Sequence, residues 1–310
     1  QNFEASKRAF SLTRPRKISK TSSMEPQTQS LPQPPETKYV LHRRFDRMGR
    51  LVGDANMEKL FRTHVMVIGL GGVGSWAAES LARSGVGRLT VIDFDEICIT
   101  NANRQLHALQ GLVGQKKAKI MAERLRKINP QSSVEEIPEF YNEANSEAML
   151  ARQPDYILDC IDNLTAKSHL LATARARGLK VVSATGAAAR LNPLAVQMAD
   201  LADTHTDPMA AQLRKILRQK HGFPAKGPWG IPAVFSAEEP LMPVELKYDG
   251  GKGFQCVCPQ GQNDFHSCDK RNTIYGTASF VTGAFGLGMA AWVVKDLLEP
   301  IGVGLQPPAD

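Results

Sequence analysis

Apolar and polar positions change their period several times along this chain, and each change marks an element. At His64 an apolar run, "HVMVI", gives way to "GLGGVGSWAAESLARSG", where apolar residues recur three and four apart. The first pattern predicts a short buried strand and the second an amphipathic helix, with a glycine turn between them. "RLTVIDFD" from Arg88, "YILDCID" from Tyr156 and "KVVSATG" from Lys180 repeat the strand signature of short, β-branched, apolar runs. The stretches starting at Gln115, Ala166 and Pro208 return to helical spacing; Asn129-Pro130 stops the first and Gly178 the second.

Strands and helices that alternate in this way predict an α/β fold, a Rossmann-like, mostly parallel sheet with helices on both faces. Ligands of such sheets bind beyond the carboxyl ends of the strands, which is where the glycine turn falls. Three stretches break the alternation. Residues 1–38 are rich in Ser, Thr, Gln and Pro, a composition that buries too little apolar surface to offset its ordering entropy, and read as a disordered tail. Residues 39–310 read as a single domain, with a Pro- and Gly-rich, loop-rich crossover at about 221–271. Asn272 to Val294 carries no charge over 23 residues, but its Gly, Ser and Thr content predicts a helix buried against the sheet rather than a membrane span.

Composition adds little until it is divided along the chain. With 42% hydrophobic and 22% charged residues the 310-residue chain is ordinary globular material. The net charge is +7, and the tail, with seven Lys/Arg against three Glu, holds +4 of it. That basic, Ser-rich start has the composition of a transit-peptide remnant, so organellar targeting stands beside a cytoplasmic location. Five cysteines at 98, 160, 256, 258 and 268, without paired spacing, exclude a disulfide framework and fit a reducing compartment.

The chemistry gathers behind the turn. Gly69, Gly71, Gly72 and Gly74 leave little side chain between strand end and helix start, so backbone amides and the positive helix end face open space, a seat for phosphate. Asp93 ends the next strand 19 residues after Gly74, where a carboxylate meets ribose hydroxyls. To this point NAD and ATP fit equally. Asn101 and Arg104 follow, then Lys117 thirteen residues later, and Asp162 at a further strand end. Cations beside phosphoryl oxygens suit a polyphosphate that is to be cut, and a carboxylate there suits magnesium. Singly, Arg104 also reads as a surface ion-pair member, Lys117 as a solvated helix lysine and Asp162 as a helix cap.

"RRFDRMGRLVGDANMEKL", "VIGLGGVGSW", "IDFDEICITNANRQ", "GQKKA" and "DCIDN" together resemble the adenylating superfamily of ubiquitin-activating enzymes and sulfur-carrier activators, over about residues 40 to 200. "NRQLHAL", "AERLRKINP" and "TGAAARLNPLAVQMADLADTHTDPMAAQLRKIL" narrow the resemblance to the tRNA threonylcarbamoyladenosine dehydratases and extend it to about residue 297. The resemblance implies ATP on the glycine turn, Asp93 on the ribose, Asn101, Arg104 and Lys117 on the phosphates, and Asp162 near Mg2+. It implies a homodimer in which Arg47 crosses into the neighbouring site. The substrate it implies is tRNA carrying threonylcarbamoyladenosine, whose carboxylate is adenylated. A sulfur-transfer or cysteine-desulfurase-associated accessory protein is a further implied partner.

Two other readings compete. An activating enzyme for a ubiquitin-like sulfur-carrier protein would be expected to carry the zinc-binding CxxC pairs of some relatives, and this chain has no CxxC. An NAD-dependent oxidoreductase does not need Arg104 and Lys117. "CVC" at 256–258, with His266 and Cys268, lacks the spacing of a tetrahedral zinc site, and these residues are expected to be neither ligands nor nucleophiles. Cys98 and Cys160 are expected in the core. For the tRNA backbone, two helices offer cations: Lys116, Lys119, Arg124, Arg126 and Lys127 on one, Arg214, Lys215, Arg218 and Lys220 on the other.

Overall fold

The computed structural model describes residues 39–246, 257, 259 and 274–298. Helices α1 (Asp46–Val52) and α2 (Asp54–Arg62) lead into β1 (His64–Ile68), α3 (Gly74–Arg83) and β2 (Arg88–Ile92). α4 (Lys117–Ile128), β3 (Ser133–Ile137), α5 (Glu143–Leu150), β4 (Tyr156–Asp159), α6 (Leu164–Ala176) and β5 (Val181–Ala184) follow. β6 (Val196–Asp200), α7 (Pro208–His221), β7 (Pro232–Ser236) and α8 (Ser279–Leu297) complete the strands and α-helices of the described residues. The strands form one sheet in the order β3-β2-β1-β4-β5-β7-β6, parallel except for β6, which runs antiparallel to β7.

Every residue of β1 is buried, which is why its sequence is a continuous apolar run without alternation. Val65 and Val67 join one core with α3, α4 and α8, while Met66 and Ile68 join a second core with α6 and α7. The strand order reverses between β1 and β4, so the glycine turn after β1 opens at the point where such sheets bind ligands. α8 lies against α3 so closely that a Cβ on Gly286 would meet the Val73 carbonyl oxygen at 2.4 Å. By length and composition α8 could cross a membrane, yet 56% of its apolar window is buried inside the chain, as expected of a core helix.

The apolar pattern predicts β1, β2, β4 and β5, and it misses three strands for identifiable reasons. β3 and β6 are the sheet edges, where polar residues such as Glu135, Glu136 and Gln197 are tolerated and blunt pairing with other chains. β7 lies inside the stretch expected to be loop-rich crossover; it is flanked by prolines and glycines but pairs with β5 on one side and β6 on the other. The tail at 1–38 and Cys256, Cys258, His266 and Cys268 lie outside the described residues.

Candidate active site

A cavity of about 510 Å3 opens at the carboxyl ends of β1, β2, β4 and β5. Its floor is the glycine turn. Gly69 has φ +92°, and a Cβ there would press on the Cys160 carbonyl oxygen at 2.6 Å; a Cβ on Gly74 would sit 1.8 Å from the Gly69 carbonyl oxygen. These two positions let strand and helix meet without side chains between them. Gly71 faces open space, and Gly72 lies against Arg104 and Thr282. The Gly69 amide donates to the Ile92 carbonyl and the Leu70 amide to Asp93, while among the described residues nothing accepts from the amides of Gly71, Gly72 and Val73. Those amides precede α3 and add to the positive end of its dipole.

Asp93 is buried at the end of β2, and its carboxylate ties the turns together. One oxygen accepts from the Leu70 amide at 2.6 Å, the other from the Asp95 amide at 2.9 Å. Each retains a lone pair for a further donor. Burial pushes this carboxyl above the ordinary aspartate range, and the Lys117 ammonium opposes the shift. Lys117 opens α4 and is itself buried, with Nζ 2.8 Å from Asp95 Oδ2. Burial works to lower its pKa, but Asp93, Asp95 and Asp162 outweigh that and hold the ammonium above the usual lysine value. Lys117 therefore stays charged at any physiological pH.

Asn101 belongs to a 3-10 turn, where its Oδ1 accepts from the Cys98 amide at 3.1 Å. Arg104 follows on the same loop, its guanidinium donating to Thr100 O and Asn103 Oδ1 at 3.0 Å each, and its carbonyl accepting from the Trp76 indole at 3.1 Å. Asp162 stands exposed at the rim, beyond β4, and Asn163 rather than Asp162 caps α6. Gly69, Gly71, Gly72, Asp93, Asn101, Arg104, Lys117 and Asp162 all border the cavity. Two of the expected residues do not. Gly74 packs behind the turn against Gly69 and Cys160. Arg47 lies on α1, outside this cavity, with 95% of its side chain exposed, and nothing in the single chain brings it to the site.

The expectation that Cys160 lies in the core is corrected in part, since it is half-buried and borders the cavity. Burial pushes its thiol far above the ordinary range, with the Asp159 carboxylate adding to the shift, so it is no thiolate at neutral pH. Among the described residues no cluster of three or more His, Cys, Asp or Glu is arranged to hold a metal. The sequence reading also missed Asp95, the acceptor for Lys117, although it stands in the same "DFDE" stretch. Phe94 and Phe140, edge to face at 5.1 Å on the cavity wall, were missed because Phe140 follows the unread strand β3.

Fold and site define a nucleotide-binding α/β protein with an anion-binding turn, backed by a lysine and an arginine suited to a polyphosphate. The chain belongs to the ThiF family, whose model matches residues 45–307. It is 37% identical to the tRNA threonylcarbamoyladenosine dehydratase of Haemophilus influenzae, over 83% of this chain and 94% of that one. The crystal structure of the Escherichia coli tRNA N6-threonylcarbamoyladenosine dehydratase in complex with ATP is similar, with TM-score 0.71 and 35% identity over 84% of this chain and 97% of that one. The molybdopterin-synthase adenylyltransferase of Escherichia coli is 34% identical, but over only 50% of this chain and 58% of its own length. The family named from the motifs is thus borne out, as is the α/β fold.

Proposed function

We propose that this chain is an ATP-dependent tRNA threonylcarbamoyladenosine dehydratase, which adenylates the free carboxylate of the modified adenosine 3′ of the anticodon and closes it into a ring. The observation that carries the reading is that one cavity brings the amides of Gly71, Gly72 and Val73, which have no acceptor among the described residues, together with Arg104, Lys117 and Asp162. Similarity to the dehydratases along the whole domain, against half of it for the adenylyltransferase, favours the tRNA substrate over a carrier protein.

A carboxylate is a poor electrophile. When its oxygen attacks the α-phosphorus of ATP, pyrophosphate leaves and the acyl carbon gains AMP as a leaving group. The carbamoyl oxygen, tethered to that carbon, then displaces AMP and closes an oxazolone ring as a carbamoyl N–H gives up its proton, with the rate advantage of a held geometry. In this reading the Gly71–Val73 amides seat the phosphates and Arg104 and Lys117 stabilise the charge that grows on the departing pyrophosphate. Asn101 orients the same loop, and Asp93 meets the ribose with its remaining lone pairs. Asp162 would hold magnesium; one carboxylate suits an ion that keeps phosphate oxygens and water as its other ligands. That ion supplies charge neutralisation on the phosphates.

We assign Arg47 to the active site of a second copy in a homodimer on the family resemblance, and its exposed position outside the cavity of its own chain leaves it available for that role. Mixing Arg47→Ala with Asp93→Ala subunits should then restore part of the activity, and failure to do so after confirmed subunit exchange argues against a shared site. The accessory sulfur-transfer or desulfurase-associated partner rests on the family resemblance alone. The test of the whole reading is pyrophosphate release from ATP with threonylcarbamoylated tRNA against the same tRNA unmodified. Release with the modified tRNA only is expected, and equal release with both would overturn the substrate assignment.

A further inference from the structure

The sequence offers two basic helices to a polyanion, and the structure tells them apart. Just before α4, Lys116 pairs with Glu96 at 3.3 Å, and on the helix Lys117 pairs with Asp95 at 2.8 Å, Arg124 with Glu79 and Arg126 with Glu136. Only Lys119 and Lys127 of that helix lack a carboxylate partner among the described residues. The other face reverses the balance. Lys215, Arg218 and Lys220 on α7, Arg175 at the end of α6 and Lys226 in the following loop are all exposed, and none has a carboxylate within ion-pair distance among the described residues.

Two of these cations are fixed in place by aromatic rings rather than by acids. The Arg175 guanidinium lies 4.5 Å above the Phe223 ring and that of Arg218 lies 5.2 Å above the Trp229 ring. Phe223 and Trp229 are buried and pack edge to face at 4.8 Å, so the platform is rigid. Stacking on a ring holds a guanidinium while leaving its N–H edge for a phosphate. The nearby Asp200 offers little competition, since its oxygens accept from the amides of Trp229, Gly230 and Ile231. Arg214, beside Arg218, has its pKa lowered by burial and then by that neighbouring like charge. The site and this face are continuous. α6 begins beside Asp162, and Met209 in the first turn of α7 borders the cavity. From Met209, Lys215 lies about 9 Å and Lys220 about 16 Å along the helix, the scale of a few nucleotides.

We infer that the α6–α7 face, and not α4, is the docking surface for the RNA backbone beside the modified adenosine. The inference rests on the tRNA reading above. Backbone phosphates lie on Lys215, Arg218 and Lys220, and the two stacked arginines set the direction of the strand toward the cavity.

Lys215→Glu/Lys220→Glu/Lys226→Glu tests this against Lys119→Glu/Lys127→Glu on α4, in the full chain with threonylcarbamoylated tRNA. None of the three α7-side lysines makes a side-chain hydrogen bond or an ion pair among the described residues, and the matching Lys→Gln triple guards against a helix-end effect of the reversed charge. For the α7-side variant the KM for tRNA should rise on the order of tenfold or more, with kcat at saturating tRNA and the KM for ATP unchanged. Its plot of log affinity against log salt, read by filter binding, should flatten by about one for each phosphate that is no longer neutralised. The α4 variant should stay close to wild type. Equal losses in both variants, or no loss in the first, overturn the inference. Binding is read without turnover, so a wild-type chain that binds tRNA but releases no pyrophosphate would sink the dehydratase reading and leave the surface testable.

Discussion

Lys117 and Lys167 each sit 2.8 Å from an aspartate oxygen, and the two pairs serve the protein differently. Lys167 on α6 and Asp159 at the end of β4 both have side chains that are 0% exposed. Every group there is used: Asp159 accepts from Ser183 Oγ at 2.7 Å and from the Ile161 amide at 3.2 Å, and Lys167 donates to the Ile161 carbonyl at 3.0 Å. Ile161 is thereby gripped on both its amide and its carbonyl, one residue before Asp162. Lys117 instead borders the cavity and faces more than one carboxylate. The same pair of residue types acts as a clamp where it is sealed and as an available charge where it is open.

Breaking the sealed pair should have the largest effect. Lys167→Met leaves the Asp159 carboxylate buried without its cation and should destabilise the fold by roughly 3–5 kcal/mol in urea denaturation, whereas Lys167→Met/Asp159→Asn, which removes the charge and keeps an oxygen to accept from Ser183 or Ile161, should recover much of that loss. A double variant as unstable as the single would show that the pair itself, and not the stranded charge, holds the fold. If the clamp positions Asp162, the double variant should be stable yet slow in pyrophosphate release.

The open pair is broken with less effect on stability and more on chemistry. Lys117→Ala should lower the rate of pyrophosphate release on the order of 10²-fold, about 2.7 kcal/mol of transition-state stabilisation, while ATP still binds. Lys117→Arg should recover only part, because a planar fork does not reproduce a point charge in a buried slot. A loss below about tenfold for Lys117→Ala would reduce the residue to a structural partner of Asp95.

Of these two lysines only Lys117 was legible in the sequence, since it stands at a fixed distance behind the glycine turn. Lys167 sits within a helical pattern where lysine ordinarily means solvent, and nothing local shows that α6 turns this position toward Asp159. The same limit applies to the sheet. Interior parallel strands announce themselves by apolar runs, as β1 and β4 do, but β3 carries glutamates because it is an edge, and β7 is hidden between prolines. The aromatic platform under Arg175 and Arg218 is built from the loop after α7 and reaches back to Arg175 on α6, and periodicity carries no trace of it.

Titration sharpens the contrast from a different direction. His107 is buried and held down to about 3, by burial first and then by the Lys117 and Arg124 cations, and His64 is held to about 4 by burial and Arg88. Between the ordinary histidine value near 6.5 and these values the unfolded chain takes up protons that the native chain refuses. Stability should therefore fall as the pH drops from about 6.5 toward 4, by up to about 1.4 kcal/mol per pH unit for each histidine. His107→Leu should flatten that fall in urea titrations at a series of pH values. An unchanged slope would mean that carboxylates alone carry the acid sensitivity.

The smallest effect is expected at Cys160, although it is a free cysteine on the cavity wall. Its thiol borders the cavity next to Asp159, but its sulfur lies 3.7 Å from the Met289 sulfur and burial keeps the proton on. Ring closure needs no thiol, because the carbamoyl oxygen is tethered to the carbon it attacks, and effective molarities for such reactions reach roughly 10⁵ M or more. Cys160→Ala should cost about 1 kcal/mol of stability for the missing sulfur packing and keep most of the rate in both steps. Single-turnover measurements that follow pyrophosphate release and ring closure separately make the test strict. Loss of both steps in a folded variant would point to a damaged cavity wall, which the melting transition would also register. Normal pyrophosphate release with ring closure abolished would mean that the acyl group passes through the thiol, and the non-covalent mechanism would fall.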